Sequence, residues 1–260
     1  MEALPLPKHP MTQPFARGPL ANRTMLNNIA QQNLKYWQDY KPGEIPTVPL
    51  TPPEELLNDI NGSILDVGTG DGVLAEELAL KGFQVYGIDI AENIISENLK
   101  RKSKVNYSVQ NISDKTNFPD NFFNFVIFRF TLTNIHKGSW GKLSDETFRI
   151  LKPGGKIWLL EPLVSQSYKT RYELATNFVT DNNCVYVFYD KNLAEKINIK
   201  EDLEKAISEK RVSRIVKHYT LGELSQIFNK FRLADHRIIE VTSPSGFSLN
   251  TLEGIFEKAS

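Results

Sequence analysis

Hydrophobic and polar residues alternate in blocks through the middle of this chain. The runs Phe125-Val-Ile-Phe128 and Ile157-Trp-Leu-Leu160 are apolar without a break, as suits strands buried on both faces. The pattern predicts strands at 63–68, 84–89, 105–110, 123–130 and 155–161, with helices at 72–81, 91–102 and 139–151 among them. Gly82 closes the first of these helices. Such alternation implies an α/β fold, a doubly wound and mostly parallel sheet with helices on both faces. Downstream, Thr220 followed by Glu223 predicts a capping box and a helix reaching Phe231. A strand is expected at 233–241, and residues 246–259 fit either a last strand or a short helix.

Two segments stand outside this alternation. Residues 22–40 carry a helical pattern ending in Asn33-Leu-Lys-Tyr-Trp-Gln-Asp-Tyr40, with Tyr36 and Tyr40 on one face. Pro42, Pro46, Pro49, Pro52 and Pro53 then interrupt it, and a short helix is expected from Thr51 or Pro52 through Leu57. The stretch 163–218 is too long for a connection in a compact core. It holds Tyr168, Tyr172, Phe178, Tyr186, Phe188 and Tyr189, followed by a charged run at 200–216 that reads as helical. In such folds ligands sit beyond the carboxyl ends of the strands, so an insertion after strand five can lie over the site. The expected organisation is an N-terminal arm over 1–50 and a domain over 51–260 with a cap at about 163–218.

Charge narrows the partners. Lys plus Arg and Asp plus Glu number 31 each, so no overall positive field gathers nucleic acid, and a nucleic-acid partner is disfavoured. No apolar run approaches the ~20 residues that span a bilayer, so no membrane partner is expected. The single Cys184 suits a reducing, cytoplasmic setting. A homo-oligomer is left open.

The chemistry concentrates in Ile64-Leu-Asp-Val-Gly-Thr-Gly-Asp-Gly72, followed by Phe83-Gln-Val-Tyr-Gly-Ile-Asp89. This is a strand, a glycine turn, a helix and a second strand ending in a carboxylate, the layout of a nucleotide cradle. The dinucleotide fingerprint would need glycine at position 73, where this chain has Val73. Asp66 and Asp71 around the turn disfavour a pyrophosphate and suit a ligand bearing positive charge, such as a sulfonium.

On these residues the segment resembles motif I of the class I S-adenosylmethionine-dependent methyltransferases, with Asp89 at their second acidic position. The resemblance continues through Asn106-Tyr-Ser-Val-Gln-Asn-Ile112, Phe118-Pro-Asp-Asn-Phe-Phe-Asn-Phe-Val-Ile-Phe128 and Leu151-Lys-Pro-Gly-Gly-Lys-Ile-Trp-Leu-Leu-Glu161, in family order over residues 63–162, and more loosely over 219–258. It implies a Rossmann-like sheet of seven strands, with S-adenosylmethionine as cofactor and S-adenosylhomocysteine as product. Gly68, Thr69, Gly70 and Gly72, flanked by Asp66 and Asp71, would lie against the amino-acid part, and Asp89 would bind the ribose hydroxyls. Ile90 and Ile112 would flank the adenine. Asn111 stands where the family usually has an Asp facing the adenine amino group, and Asn124 replaces another usual Asp.

Methyl transfer from a sulfonium needs alignment and exclusion of water more than a base. His136, on the loop after strand four, is the best-placed base candidate; it also reads as a surface or helix-entry histidine. Tyr36, Trp37 and Tyr40 could close over a cation or staple the arm to the core. Arg129 could line the cofactor site or pair with a carboxylate. Glu161 could meet substrate or cap a loop, and Tyr219, before the last helix, could meet the substrate or simply stand at the helix entry. No metal-ligand spacing is present and no metal is expected. The implied activity is methylation of a small-molecule acceptor. A protein or RNA methyltransferase and a non-catalytic methyltransferase-like binding protein are the alternatives; the intact glycines speak against the latter.

Overall fold

The computed structural model describes residues 33, 35–37, 39, 50–164, 178–181, 184–188, 205–242 and 248–260. Tyr40 and most of the expected arm and cap fall outside them. After a short helix α1 (Glu54–Asn58), the chain follows the predicted alternation: β1 (Ser63–Val67), α2 (Val73–Leu80), β2 (Gln84–Asp89), α3 (Glu92–Leu99), β3 (Asn106–Val109), β4 (Phe123–Arg129), α4 (Trp140–Ile150) and β5 (Leu151–Pro162). Then come β6 (Phe178–Asp181), β7 (Cys184–Phe188), β8 (Val212–Lys217), α5 (Leu221–Ile227), β9 (Arg232–Thr242) and β10 (Ser248–Glu257).

Seven strands form one sheet in the order β3-β2-β1-β4-β5-β10-β9. Strands β1 to β5 are mutually parallel, and β10 runs antiparallel to both of its neighbours. This is the mostly parallel, doubly wound sheet expected. Successive side chains on a strand point to opposite faces, and the sheet uses both. From β4, Val126 and Phe128 join the layer under α4 and α5, with Leu143, Ile150, Leu224 and Phe228. Phe125 and Ile127 join the layer under α1 and α2, with Leu56, Leu74 and Leu78. The unbroken apolar runs are therefore two interleaved faces.

Three readings change. Among its described residues the charged run at 200–216 is helical at 205–208 and then becomes β8. Lys210, at a φ of 57°, ends the turn, and Val212 and Ile215 bury themselves in an antiparallel pairing with β7. The helix opened by Thr220 forms with the predicted capping box, but stops at Ile227 because Phe228 and Phe231 turn into the core beside Phe256. The segment left undecided at 246–259 contains β10, fixed by pairing on both sides.

Strands β6, β7 and β8 form a separate antiparallel sheet. The excursion that carries them leaves at Leu163 and returns at Tyr219, and its ends are clasped: Tyr219 N–H donates to Pro162 O at 3.1 Å and Val164 N–H to Tyr219 O at 2.9 Å. It is thus rooted at the carboxyl end of β5.

Candidate active site

Strand β1 has β2 on one side and β4 on the other, so the order reverses at its carboxyl end, where such sheets form a crevice. The chain leaves β1 through Gly68, Gly70 and Gly72, all left-handed, with φ of 66°, 54° and 75°. Close approach adds to the demand for glycine. A Cβ on Gly68 would lie 2.6 Å from Thr131 Cγ2, and one on Gly72 would lie 2.3 Å from the Tyr107 hydroxyl. Gly68 is exposed at the top of the turn.

Strand β2 braces this turn. Asp89 Oδ2 accepts the Gly70 N–H at 3.1 Å and Oδ1 accepts the Ala91 N–H at 3.0 Å. Burial raises the Asp89 carboxyl above the usual range, and the Ala91 and Gly70 N–H groups oppose that rise. Thr69 N–H donates to Ile88 O at 3.0 Å. Below, Asp66 is buried and accepts the Thr69 hydroxyl at 2.8 Å. Burial pushes the Asp66 carboxyl up to about 6, against the pull of the Arg129 guanidinium. Arg129 also donates to Leu50 O at 3.4 Å.

Helix α3 and the residues just past its end supply two supports that the sequence did not announce. Asn98 donates to Gly70 O at 2.8 Å, and Arg101 donates to Asp71 O. Asn98 is buried on the face it shares with Ile94 and Ile95. A polar residue on an apolar helical face was the available signal.

The loop after β4 forms the opposite margin. It opens at Phe130, a non-glycine residue at a φ of 54°, a conformation that costs free energy and is held by surrounding contacts. The Thr131 hydroxyl donates to Val67 O at 2.7 Å, which ties this loop to the end of β1. His136 is half-buried, and its Nδ1 accepts the Gly138 N–H at 3.0 Å. Burial and the neighbouring Lys137 lower its pKa. With Nδ1 accepting from Gly138, Nε2 of the neutral ring carries the hydrogen and is a donor, so the one nitrogen that could take a proton is already engaged.

The match to known families decides what this crevice belongs to. The family described as "Methyltransferase domain" matches residues 45–232, which includes β1 through α5 and every element of the crevice. This chain belongs to the methyltransferase domain family. It is 31% identical over 180 residues to the ubiquinone/menaquinone biosynthesis C-methyltransferase of Burkholderia mallei, covering 62% of this chain and 71% of that one. It is 27% identical over 145 residues to the demethylmenaquinone methyltransferase of Chlorobaculum tepidum, covering 55% and 54%. The chain spans about half the length of the first curated relatives it matches. In fold it is similar to a SAM-dependent methyltransferase from Methanosarcina mazei, with a TM-score of 0.65 at 23% identity, covering 81% of this chain and 99% of that one.

Within this methyltransferase domain the other expected site residues are placed as follows. Ile90 is half-buried just beyond Asp89, and Ile112 is buried with Ile88 and Phe123 in the core. Asn111 is exposed at the end of β3. Its oxygen accepts the Ser113 N–H at 2.9 Å and its nitrogen donates to Asp114 at 2.8 Å. Tyr36 and Trp37 lie in a helical segment, edge to face at 5.2 Å, and Trp37 packs on Ala91 and Ile94. That contact puts the arm beside the carboxyl end of β2.

Glu161 and Tyr219 lie under the loop, both fully buried. Glu161 Oε1 accepts the N–H groups of Thr131 and Leu132, each at 2.7 Å, and the Tyr219 hydroxyl donates to Leu132 O at 2.6 Å. Burial pushes the Glu161 carboxyl up to about 8, despite those N–H groups. Both side chains hold the loop in place. Among the described residues no group of three or more His, Cys, Asp or Glu could hold a metal, and no helix is long and apolar enough to cross a membrane.

Proposed function

We propose that this chain is an S-adenosylmethionine-dependent methyltransferase acting on a small molecule. The observation that carries the reading is the left-handed glycine turn at the sheet's switch point, braced by Asp89. In this reading the ribose hydroxyls meet Asp89, the amino-acid part lies against Gly68–Gly72, and the adenine sits by Ile90 toward Asn111. The relatives named for menaquinone and ubiquinone biosynthesis make a quinone-type ring the first acceptor to test. A roof formed by the arm and the excursion after β5 would enclose such an acceptor.

The chemistry is an in-line displacement. The acceptor's electron pair forms a bond to the methyl carbon as the carbon–sulfur bond breaks, and S-adenosylhomocysteine leaves as a neutral thioether. The acceptor's proton is lost to solvent. Thr131 and its loop fix the acceptor-side wall, and closure removes water from the reacting atoms. A single Cys184 suits a reducing, cytoplasmic setting for this activity.

Calorimetry with S-adenosylmethionine and S-adenosylhomocysteine, followed by transfer of a labelled methyl group to a panel of hydroxylated quinols, phenols, proteins and RNA, tests the proposal. Binding of both nucleosides and labelling of a quinol or phenol are expected. Binding of a nicotinamide dinucleotide in their place would overturn it, and labelling confined to protein or RNA would move the acceptor class.

A further inference from the structure

Asn33 is a buried polar residue whose side chain, among the described residues, bonds to distant elements. Its Nδ2 donates to Asn134 O at 3.1 Å and to Ile215 O at 3.0 Å, and its Oδ1 accepts the Ile215 N–H at 2.8 Å. The pair of bonds on Ile215 is what a neighbouring strand residue would give. Among the described residues strand β8 is an edge of its small sheet, and the asparagine amide takes the place of a neighbouring strand residue there. The remaining bond reaches the turn of residues 132–134, in the loop whose Thr131 overlies Gly68.

Four residues further along the same helical face, Trp37 packs on Ala91 and Ile94, just past Asp89. One helical segment therefore touches both margins of the crevice. Asn33 joins it to the β4 loop and the excursion, and Trp37 joins it to the start of α3.

We infer that Asn33 is a positioning residue for methyl transfer, the latch that fixes the arm, the loop after β4 and the β6–β8 sheet in one arrangement. This rests on the proposed methyltransferase reading. The chemistry of the site admits few substitutes. Asp lacks both donors, Gln is a methylene too long for the same ring of bonds, and Leu leaves three buried backbone groups unpaired. Releasing the latch frees the helical segment of Asn33 and Trp37 from the loop after β4 and from β8, while the Asp89 clamp and the glycine turn stay intact.

The test uses the full chain and Asn33→Leu, with Asn33→Asp as the second variant should the first fail to fold. Trp140 and Trp158 are buried, so quenching of tryptophan fluorescence by acrylamide reports mainly on Trp37. A Trp37→Phe control fixes that assignment. The expected result is a quenching constant raised at least twofold and a kcat/KM for the acceptor lowered at least tenfold. S-adenosylhomocysteine affinity should stay within about threefold and the main thermal transition should hold. Unchanged quenching with unchanged kcat/KM would overturn the latch, and so would a loss of nucleoside binding equal to the loss of turnover. If the wild-type chain itself neither binds the nucleoside nor transfers methyl, the functional reading fails, and the quenching measurement alone still decides whether Asn33 holds the arm.

Discussion

Asp89 accepts the main-chain N–H of Gly70 across 19 residues of sequence, so the carboxylate expected to meet a ribose already braces the turn. Its loss should remove both a ligand contact and a support. Asp89→Ala is expected to weaken S-adenosylhomocysteine binding by about 10- to 100-fold, from roughly 1.5–3 kcal/mol for a charge-assisted bond. Asp89→Asn, which keeps one acceptor oxygen, should fall between. Calorimetry on both variants checks this, and unchanged affinity in the Ala variant removes Asp89 from the site.

Gly68 and Thr131 make a second, separable demand. Gly68→Ala should lower both thermal stability and cofactor affinity, because its Cβ meets the Thr131 side chain while its backbone stays left-handed. Adding Thr131→Ala removes the two nearest atoms, leaves Cβ at 3.2 Å and the backbone cost of about 1–2 kcal/mol, and gives up the bond to Val67 O. The expected outcome is that Gly68→Ala lowers the melting temperature less in the Thr131→Ala background than in the wild type. An equal fall in both backgrounds would mean that conformation alone demands the glycine.

The buried acid at Glu161 gives a pH dependence with a definite sign. Its folded pKa of about 8 lies above the ordinary 4.5, so its contribution to stability is complete below about pH 4.5 and is lost as pH rises through 8. Glu161→Gln should flatten the fall in melting temperature between pH 5 and 8, an effect on the order of a few kcal/mol. Glu161→Ala should destabilise at every pH, since it leaves the Thr131 and Leu132 N–H groups unpaired at about 1–3 kcal/mol each. Parallel wild-type and Gln melting curves across that range would show that the acid is already ionised when folded.

Asp66 should tune the preference for a sulfonium over a thioether. Its carboxyl titrates near 6 beneath the turn, so negative charge there grows from pH 5 to 7. Affinity for S-adenosylmethionine should rise relative to S-adenosylhomocysteine over that range by a few-fold, about 1 kcal/mol or less. Asp66→Asn should hold the ratio constant. Titrations of both nucleosides at the two pH values settle it.

What the sequence disclosed followed range. The strand, turn and carboxylate from Ile64 to Asp89 carry their meaning in local spacing, and the capping box at Thr220 and Glu223 is a four-residue pattern, so both were legible. Strand β8 was hidden because its Val212 and Ile215 stand amid Lys, Glu and Arg that suit a charged helix, and only the pairing with β7 decides otherwise. Glu161 was legible as a position at a strand end; its partners, at the start of the loop after β4, are set by the tertiary fold. Asn33 was beyond reading: its partners lie 101 and 182 residues away, and nothing beside it in sequence announces them.

Strand β10 sits in the slot between β5 and β9 and carries the pairing that joins β9 to the sheet. Its register pairs Thr251 with Pro162 and Leu252 with Glu161, so a loop of more than eighty residues must close before the slot is filled. Loop closure of that length slows folding. The glycine turn and its Asp89 brace need none of it, being assembled from β1, β2 and the short connection between them. In the order of events the nucleoside cradle can take shape while the far half of the sheet is still unzipped.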